Sequence, residues 1–251
     1  MFKAFLIILS FIFTIPTFAD DIELTADNGL EWNQTEQKIT MKQNATAKTS
    51  EYELKADFIE AFYKEPNKKI FKVIANYNVK VLSQNETITT DNLTYDLTNE
   101  VITLKSNKNP NTLKNKDSEI IAQDDVIYYK NKNYATAKNA KIINTGRTLF
   151  ADNIRVDFLS NGKKSSNELK KVIATGNIKL LDGEEELYGD NAEYNPQNGL
   201  ATITGNVYFK KGTQANLKGG KIIYDMKTGI ARILPSESEG KVKGVFSTDK
   251  K

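Results

Sequence analysis

Past its apolar start, the chain alternates apolar and polar side chains with a period of two, and helical periodicity is nearly absent. Leu93, Tyr95 and Leu97 stand against Thr94, Asp96 and Thr98. A half-buried strand reads this way, one set turned to a core and the other to water. The same alternation carries Val79 and Val81, Ile102 and Leu104, Val126 and Tyr128, and Ile154, Val156 and Phe158. It continues through Ile178 and Leu180, Ala192 and Tyr194, and Ile203, Val207 and Phe209. Valine, isoleucine, threonine and tyrosine fill these runs, the residues that suit a pleated surface. Lys48–Lys64 is the one stretch that resembles a helix, and Ile59 and Ala61 fit a strand better.

Turn formers separate the runs: Asp27-Asn28-Gly29, Asn161-Gly162, Asp182-Gly183, Asn198-Gly199, Lys211-Gly212 and Lys227-Thr228-Gly229. Several lie between alternating runs and read as hairpin or bulged connections. This spacing predicts an all-β chain of roughly twenty short strands. Ser106–Ser118 and Asn161–Lys171 are polar interruptions and read as long exposed loops. Neither reads as a linker, so residues 20–240 are expected to form one continuous domain. A terminal strand, Lys241–Phe246, and a charged tail complete 241–251.

The chain also repeats itself. A shift of 99 positions lays Asp190, Asn191, Tyr194 and Asn198 on Asp91, Asn92, Tyr95 and Asn99, and Val172-Ile173-Ala174 on Val73-Ile74-Ala75. A looser form, Asp followed by apolar residues two apart, recurs at Asp57, Asp124 and Asp152, shifted by one at Asp27, and without its Asp at Gly219-Gly220. These positions fall roughly 30 residues apart, as in repeat architectures. The recurring Asp-Asn reads as turn and bulge chemistry, the carboxylate accepting backbone N–H groups.

Composition narrows the function. Lys3, the apolar run Ala4–Ile15, Pro16 and Thr17-Phe18-Ala19 form a cleavable signal peptide over 1–19. The apolar run is shorter than the roughly 20 residues of a spanning helix. Without histidine or cysteine there is no Ser-His-Asp triad, no usual zinc site and no disulfide framework. A net charge of +3 argues for no nucleic-acid partner. Glu184-Glu185-Glu186 follows a turn and reads as solvated rather than catalytic, and a calcium site would want denser carboxylates. Lys163, Lys164, Lys170 and Lys171 read as a solvated loop. No cofactor, metal or catalytic residue is expected.

Behind the signal peptide, the Asp-Asn-x-x-x-Tyr phrases alternate with lines such as Ala174-Thr175-Gly176-Asn177-Ile178-Lys179-Leu180 and Thr204-Gly205-Asn206-Val207-Tyr208-Phe209. In that order they resemble the OstA-like (LptA) family of Gram-negative bacteria, most strongly over Val172–Phe246. The resemblance implies a long, twisted, open β-jellyroll forming a V-shaped antiparallel trough. It implies a periplasmic, non-enzymatic carrier of lipopolysaccharide that stacks head-to-tail with itself. The expected partners are an LptC-like inner-membrane and an LptD-like outer-membrane component. The eighteen alternating apolar residues named in the opening runs, from Val79 to Phe209, would then line the lipid path (Leu97 apart). Trp32, Val242, Val245 and Phe246 would meet neighbouring subunits. Two other readings fit the residues. A retained N-terminal segment would make the chain LptC-like and membrane-anchored. A secreted β-solenoid binding polysaccharide would show outward aromatics, for which Tyr129 and Tyr208 are candidates.

Overall fold

The computed structural model describes residues 22–161, 164–225, 227–228, 230–236 and 240–247, so the expected signal peptide and residues 248–251 of the tail lie outside the described residues. The alternating runs form eighteen strands in one antiparallel sheet. In chain order they are β1 (Glu23–Thr25), β2 (Leu30–Asn33), β3 (Lys38–Lys48), β4 (Glu53–Lys64), β5 (Lys69–Leu82) and β6 (Glu86–Asp96). Four short strands follow: β7 (Val101–Lys105), β8 (Asn111–Asn115), β9 (Ser118–Ala122) and β10 (Val126–Tyr129). After a 3-10 turn at Lys130–Lys132 come β11 (Tyr134–Asn144), β12 (Arg147–Asn161), β13 (Lys164–Asp182), β14 (Glu185–Asn195), β15 (Leu200–Lys211) and β16 (Ala215–Asp225). β17 (Ile230–Leu234) and β18 (Lys243–Phe246) end the sheet. Lys48–Lys64 is not helical: a turn over 49–52 leads from the end of β3 into β4, whose alternation Ile59 and Ala61 carry.

The strands are not uniformly short. Ten of them run eleven residues or more, and four of these pass through a positive-φ pair that looks like a turn. At Gln43-Asn44, Tyr77-Asn78, Gly176-Asn177 and Gly205-Asn206 two successive residues take positive φ, and the pairing slips at Lys42/Ala45, Asn76/Val79, Thr175/Ile178 and Thr204/Val207. These are β-bulges, which bend a strand without ending it. Asparagine tolerates the left-handed region because its short polar side chain can bond locally.

Here the bond reaches across to the neighbouring strand, and it is made to the recurring aspartate. Asn44 Nδ2 donates to Asp27 at 2.6 Å, Asn78 to Asp57 at 2.7 Å, Asn177 to Asp152 at 2.8 Å and Asn206 to Asp190 at 2.9 Å, and Asn139 donates to Asp124. The expected acceptance of backbone N–H groups is found at Asp91 instead. The bulges line up across the sheet, which folds along that line into two walls.

A methyl group at Gly205 (φ +76°) would sit 2.3 Å from the carboxylate of Asp190. Gly205→Ala should therefore break one latch and strain the bulge, costing more than about 1 kcal/mol. A thermal melt should fall by at least about 2–4 °C; an unchanged midpoint would mean the latch holds nothing.

The short strands share positions across the sheet. β1 and β2 both pair with β3, β7 and β8 with β6, β9 and β10 with β11, and β17 and β18 with β16. The sheet thus has fourteen positions, and the split ones stand only at its two edges and at its centre, where β7 meets β10 and β8 meets β9. Asp27-Asn28-Gly29 is accordingly a corner between β1 and β2, which both pair with β3 and not with each other, rather than a hairpin. Asp182-Gly183, Asn198-Gly199 and Lys211-Gly212 do turn hairpins.

Both predicted long loops are corrected. Ser106–Ser118 contains β8, whose Asn111 and Leu113 are fully buried. Asn111 hides in a polar run because its side chain is satisfied: Thr90 Oγ1 donates to it at 2.6 Å and its Nδ2 donates to the Asp124 carbonyl at 2.7 Å. Of Asn161–Lys171, Asn161 ends β12 and Lys164 onward belongs to β13, with Phe158 opposite Leu169 and Ser160 opposite Ser165.

The segment between β7 and β8 is clasped by Asp91, whose carboxylate accepts the backbone N–H groups of Lys108, Asn109 (3.0 Å) and Asn107 (2.7 Å). Those bonds hold its pKa far below the ordinary carboxylate value. A depressed folded-state pKa stabilises above the unfolded value near 4 and is lost as pH falls through the folded one. Asp91→Asn should therefore lower the melting point at pH 7 and shrink the gap from wild type below about pH 3. A difference independent of pH would show that the charge is immaterial.

Candidate functional site

The registers show how the predicted interior residues are brought together. Tyr95, Ile102, Tyr128, Val156 and Tyr194 belong to one row across the first wall. Leu93, Leu104, Val126, Ile154, Ala192 and Ile203 belong to the row beside it. Val81, Leu180 and Phe209 lie on the second wall, Val79, Ile178 and Val207 flank the bulge line, and Phe158 sits toward the far end of the first wall. Fourteen of the eighteen are buried, while Val81, Ile102, Ala192 and Tyr194 are half-buried. The sequence reading missed much of the second wall, including Leu54, Ile88, Leu113, Ile120 and Leu149. For Leu113 the polar run around it concealed the signal.

The two walls face each other across space that is not uniform. Toward the N-terminal edge lies a cavity of about 150 Å³, lined from both walls by Ala61, Val73, Tyr95, Leu54, Val81 and Ile88. Toward the C-terminal edge lies one of about 60 Å³, lined by Leu180, Leu187, Ile203, Phe209, Leu217 and Ile222. Between them lies a smaller void of about 20 Å³, lined by Leu113, Ile120, Val126, Ile154 and Phe158 among others. There the Tyr128 ring stands edge-on to Phe158, centroids 5.9 Å apart.

The interior is electrically quiet. Burial, with Glu100 and Tyr128 adding to it, pushes the Tyr95 phenol up to about 12, and burial raises Tyr194 as well. Both stay neutral at physiological pH. Among the residues lining the two cavities, the charged ones are Glu86, Asp182 and Glu185. Asp182 meets Arg147 at 2.9 Å and Glu185 meets Lys211 at 2.8 Å. The neighbouring Glu186 accepts from the Tyr188 hydroxyl, which lowers its pKa. Of the lysines read as a solvated loop, Lys170 is exposed and Lys171 meets Glu193 at 2.8 Å, while Lys163 and the Lys164 side chain lie outside the described residues.

On the outer face the rings of Tyr129 and Tyr208 are partly covered, while Tyr77 is exposed. Tyr129 stacks on Tyr134 at 4.7 Å, with Lys132 5.3 Å from the first ring and Arg155 4.0 Å from the second. Tyr208 stacks on Tyr188 at 6.0 Å, with Lys218 and Lys179 beside them. Neighbouring strands and cations occupy the ring faces a sugar would need, which disfavours a saccharide-binding surface at Tyr129 and Tyr208.

Apolar side chains stand uncovered at both edges of the sheet. Trp32 continues the row of Ile39 and Ala61, and Leu30 that of Met41 and Ile59. Both are about half exposed, at 52% and 49%. Trp32 donates to the Tyr63 hydroxyl at 2.7 Å and meets that ring edge-on, so it packs the first strand and remains half open. At the other edge, Phe246 lies opposite Ala215 in the second wall and is 67% exposed, and Val242 and Val245 are exposed as well. Each edge also presents a row of backbone groups able to pair with another strand.

Residues 109–230 match the family model described as LptA/(LptD N-terminal domain) LPS transport protein. Among solved structures the chain is similar to LptH from Pseudomonas aeruginosa, described as the LptA homologous periplasmic component of the conserved lipopolysaccharide transport device. The identity is 12%, over 53% of this chain and 96% of that one, with a TM-score of 0.44. No curated protein matches.

Proposed function

We propose, for a chain that belongs over residues 109–230 to the LptA/(LptD N-terminal domain) family of lipopolysaccharide transport proteins, a non-enzymatic periplasmic carrier that shelters lipopolysaccharide acyl chains between its two walls. The observation that carries this reading is that apolar rows cross the sheet, the first-wall rows reaching one edge uncovered at Trp32 and Leu30, while Phe246 stands uncovered at the other edge. A core serving stability alone would gain nothing from leaving Trp32, Leu30 and Phe246 open. Each acyl CH₂ removed from water contributes about 0.8 kcal/mol, so an apolar trough suffices to hold a multi-acylated lipid. The sugars and phosphates stay outside with the charged mouths.

The open edges give the carrier its neighbours. The β17/β18 edge of one copy pairs antiparallel with the β1/β2 edge of the next, which is β-strand addition. An LptC-like inner-membrane component and an LptD-like outer-membrane component occupy the two outermost edges. The trough thereby continues from one protein to the next and bridges the membranes.

The test is photo-crosslinking in cells that make lipopolysaccharide, with benzoyl-phenylalanine at Tyr95, Tyr194 and Phe209, and at the outward neighbours Thr94, Glu193 and Lys210. Lipopolysaccharide adducts are expected at the first three and not at the second. Adducts at neither set, with the protein folded, would end the carrier reading.

A further inference from the structure

We infer that one chain holds two acylated lipids at once, the second in a compartment built wholly from residues 22–104, outside the stretch that carries the family match. This rests on the carrier reading and deepens it. The larger cavity draws its lining from Ile22 to Leu104, and none of it from residues 109–230. The smaller cavity draws its lining from Leu180 to Ile233.

The two cavities share a repeated strip of lining. A shift of 99 positions carries Val81 to Leu180, Ile88 to Leu187, Ile102 to Ala201 and Leu104 to Ile203, and every one of these residues lines its respective cavity. The polar groups at the mouth repeat as well: Ser83 maps to Asp182 and Glu86 to Glu185. Six lining positions in the same places cannot come from alternation alone, which would reproduce polarity but not location.

Split positions mark the edges, and the pair at the centre, β7/β8 against β9/β10, has the antiparallel form that two edges would make on meeting. The sheet therefore has an internal junction at its centre, although the shift of 99 carries β7 onto the start of β15, which is paired on both sides. That junction lies between the strands that line the two cavities, and Tyr128 on β10 meets Phe158 on β12 beside it. An apolar void near 150 Å³ takes an apolar guest in preference to water. Each compartment is lined from both walls, so each can grip an acyl chain independently.

Native mass spectrometry of the mature full-length protein with synthetic lipid A as the probe tests this directly. Wild type should saturate at two lipids per chain. Ile88→Trp and its repeat equivalent Leu187→Trp should each saturate at one, and the double variant should bind none. Ile88→Phe and Leu187→Phe serve where the larger ring disturbs folding, and circular dichroism confirms the sheet in each. Saturation of wild type at one lipid, removed entirely by either substitution, would overturn two sites and leave one carrier path. No binding by folded wild type would overturn the carrier reading itself, and this inference with it.

Discussion

Phe246→Asp should reduce end-to-end association of the chain by more than about 30-fold while leaving its own sheet intact. Phe246 occupies the last place in a second-wall row, opposite the buried Ala215, and two-thirds of it is uncovered. A second edge arriving there would bury the ring. An aspartate in its place would carry an unpaired charge into an apolar junction. Removal of a central aromatic anchor typically costs 2 kcal/mol or more, which sets the fold-change. Because such a junction is heterologous, the opposite edge must respond as well, and Trp32→Ala should weaken association without touching Phe246. Sedimentation velocity over a concentration series reads both. Unaltered association in the two variants, with Thr228→Asp as an exposed control, would show that the edges are not joined this way.

Phe158→Ala should cost about 3–5 kcal/mol, the range for emptying a buried aromatic site that cannot collapse. The ring is 5% exposed, stands edge-on to Tyr128 and lines the smaller void between the two cavities. Strands on both sides are held by their own ladders, so little can move in to replace it. The loss should appear first as faster amide exchange in β10 to β13, where the ring packs, while β3 to β5 stay protected. Uniform loss of protection along the whole sheet would instead mean that the centre is coupled rigidly to both ends. Little change anywhere would mean that the centre is not packed as described.

Strand character was legible in most runs, since alternation such as Leu93, Tyr95 and Leu97 is a property of adjacent residues, but β8 and the start of β13 were read as loops. The face of each alternating run was legible for the same reason. What alternation does not contain is the wall a residue occupies. Val81 and Tyr95 read as one face, yet a bend separates them and they line the N-terminal cavity from opposite sides. The bend was hidden because Gly176-Asn177 and Gly205-Asn206 have the composition of a turn. Only the aspartate on the neighbouring strand marks them as bulges, and it lies 25 and 16 residues away. Leu113 was lost among Asn111, Thr112 and Lys114, where burial depends on Thr90 and Asp124 arriving from elsewhere. The narrowed centre follows from how Tyr128 and Phe158 meet across strands, a matter of volume that a residue pattern does not encode.

Each long strand lies beside the strands that precede and follow it in the chain, apart from the exchanges where split pairs meet. The loop that must close to add a strand is therefore short, and the entropy of closing it small. Such a sheet has a low contact order for an all-β protein and should assemble quickly for its class. Assembly can begin at β3 to β6 before the later strands are available, each new strand forming on the edge left by the last. The two edges of the finished protein are then the same kind of surface on which it grew.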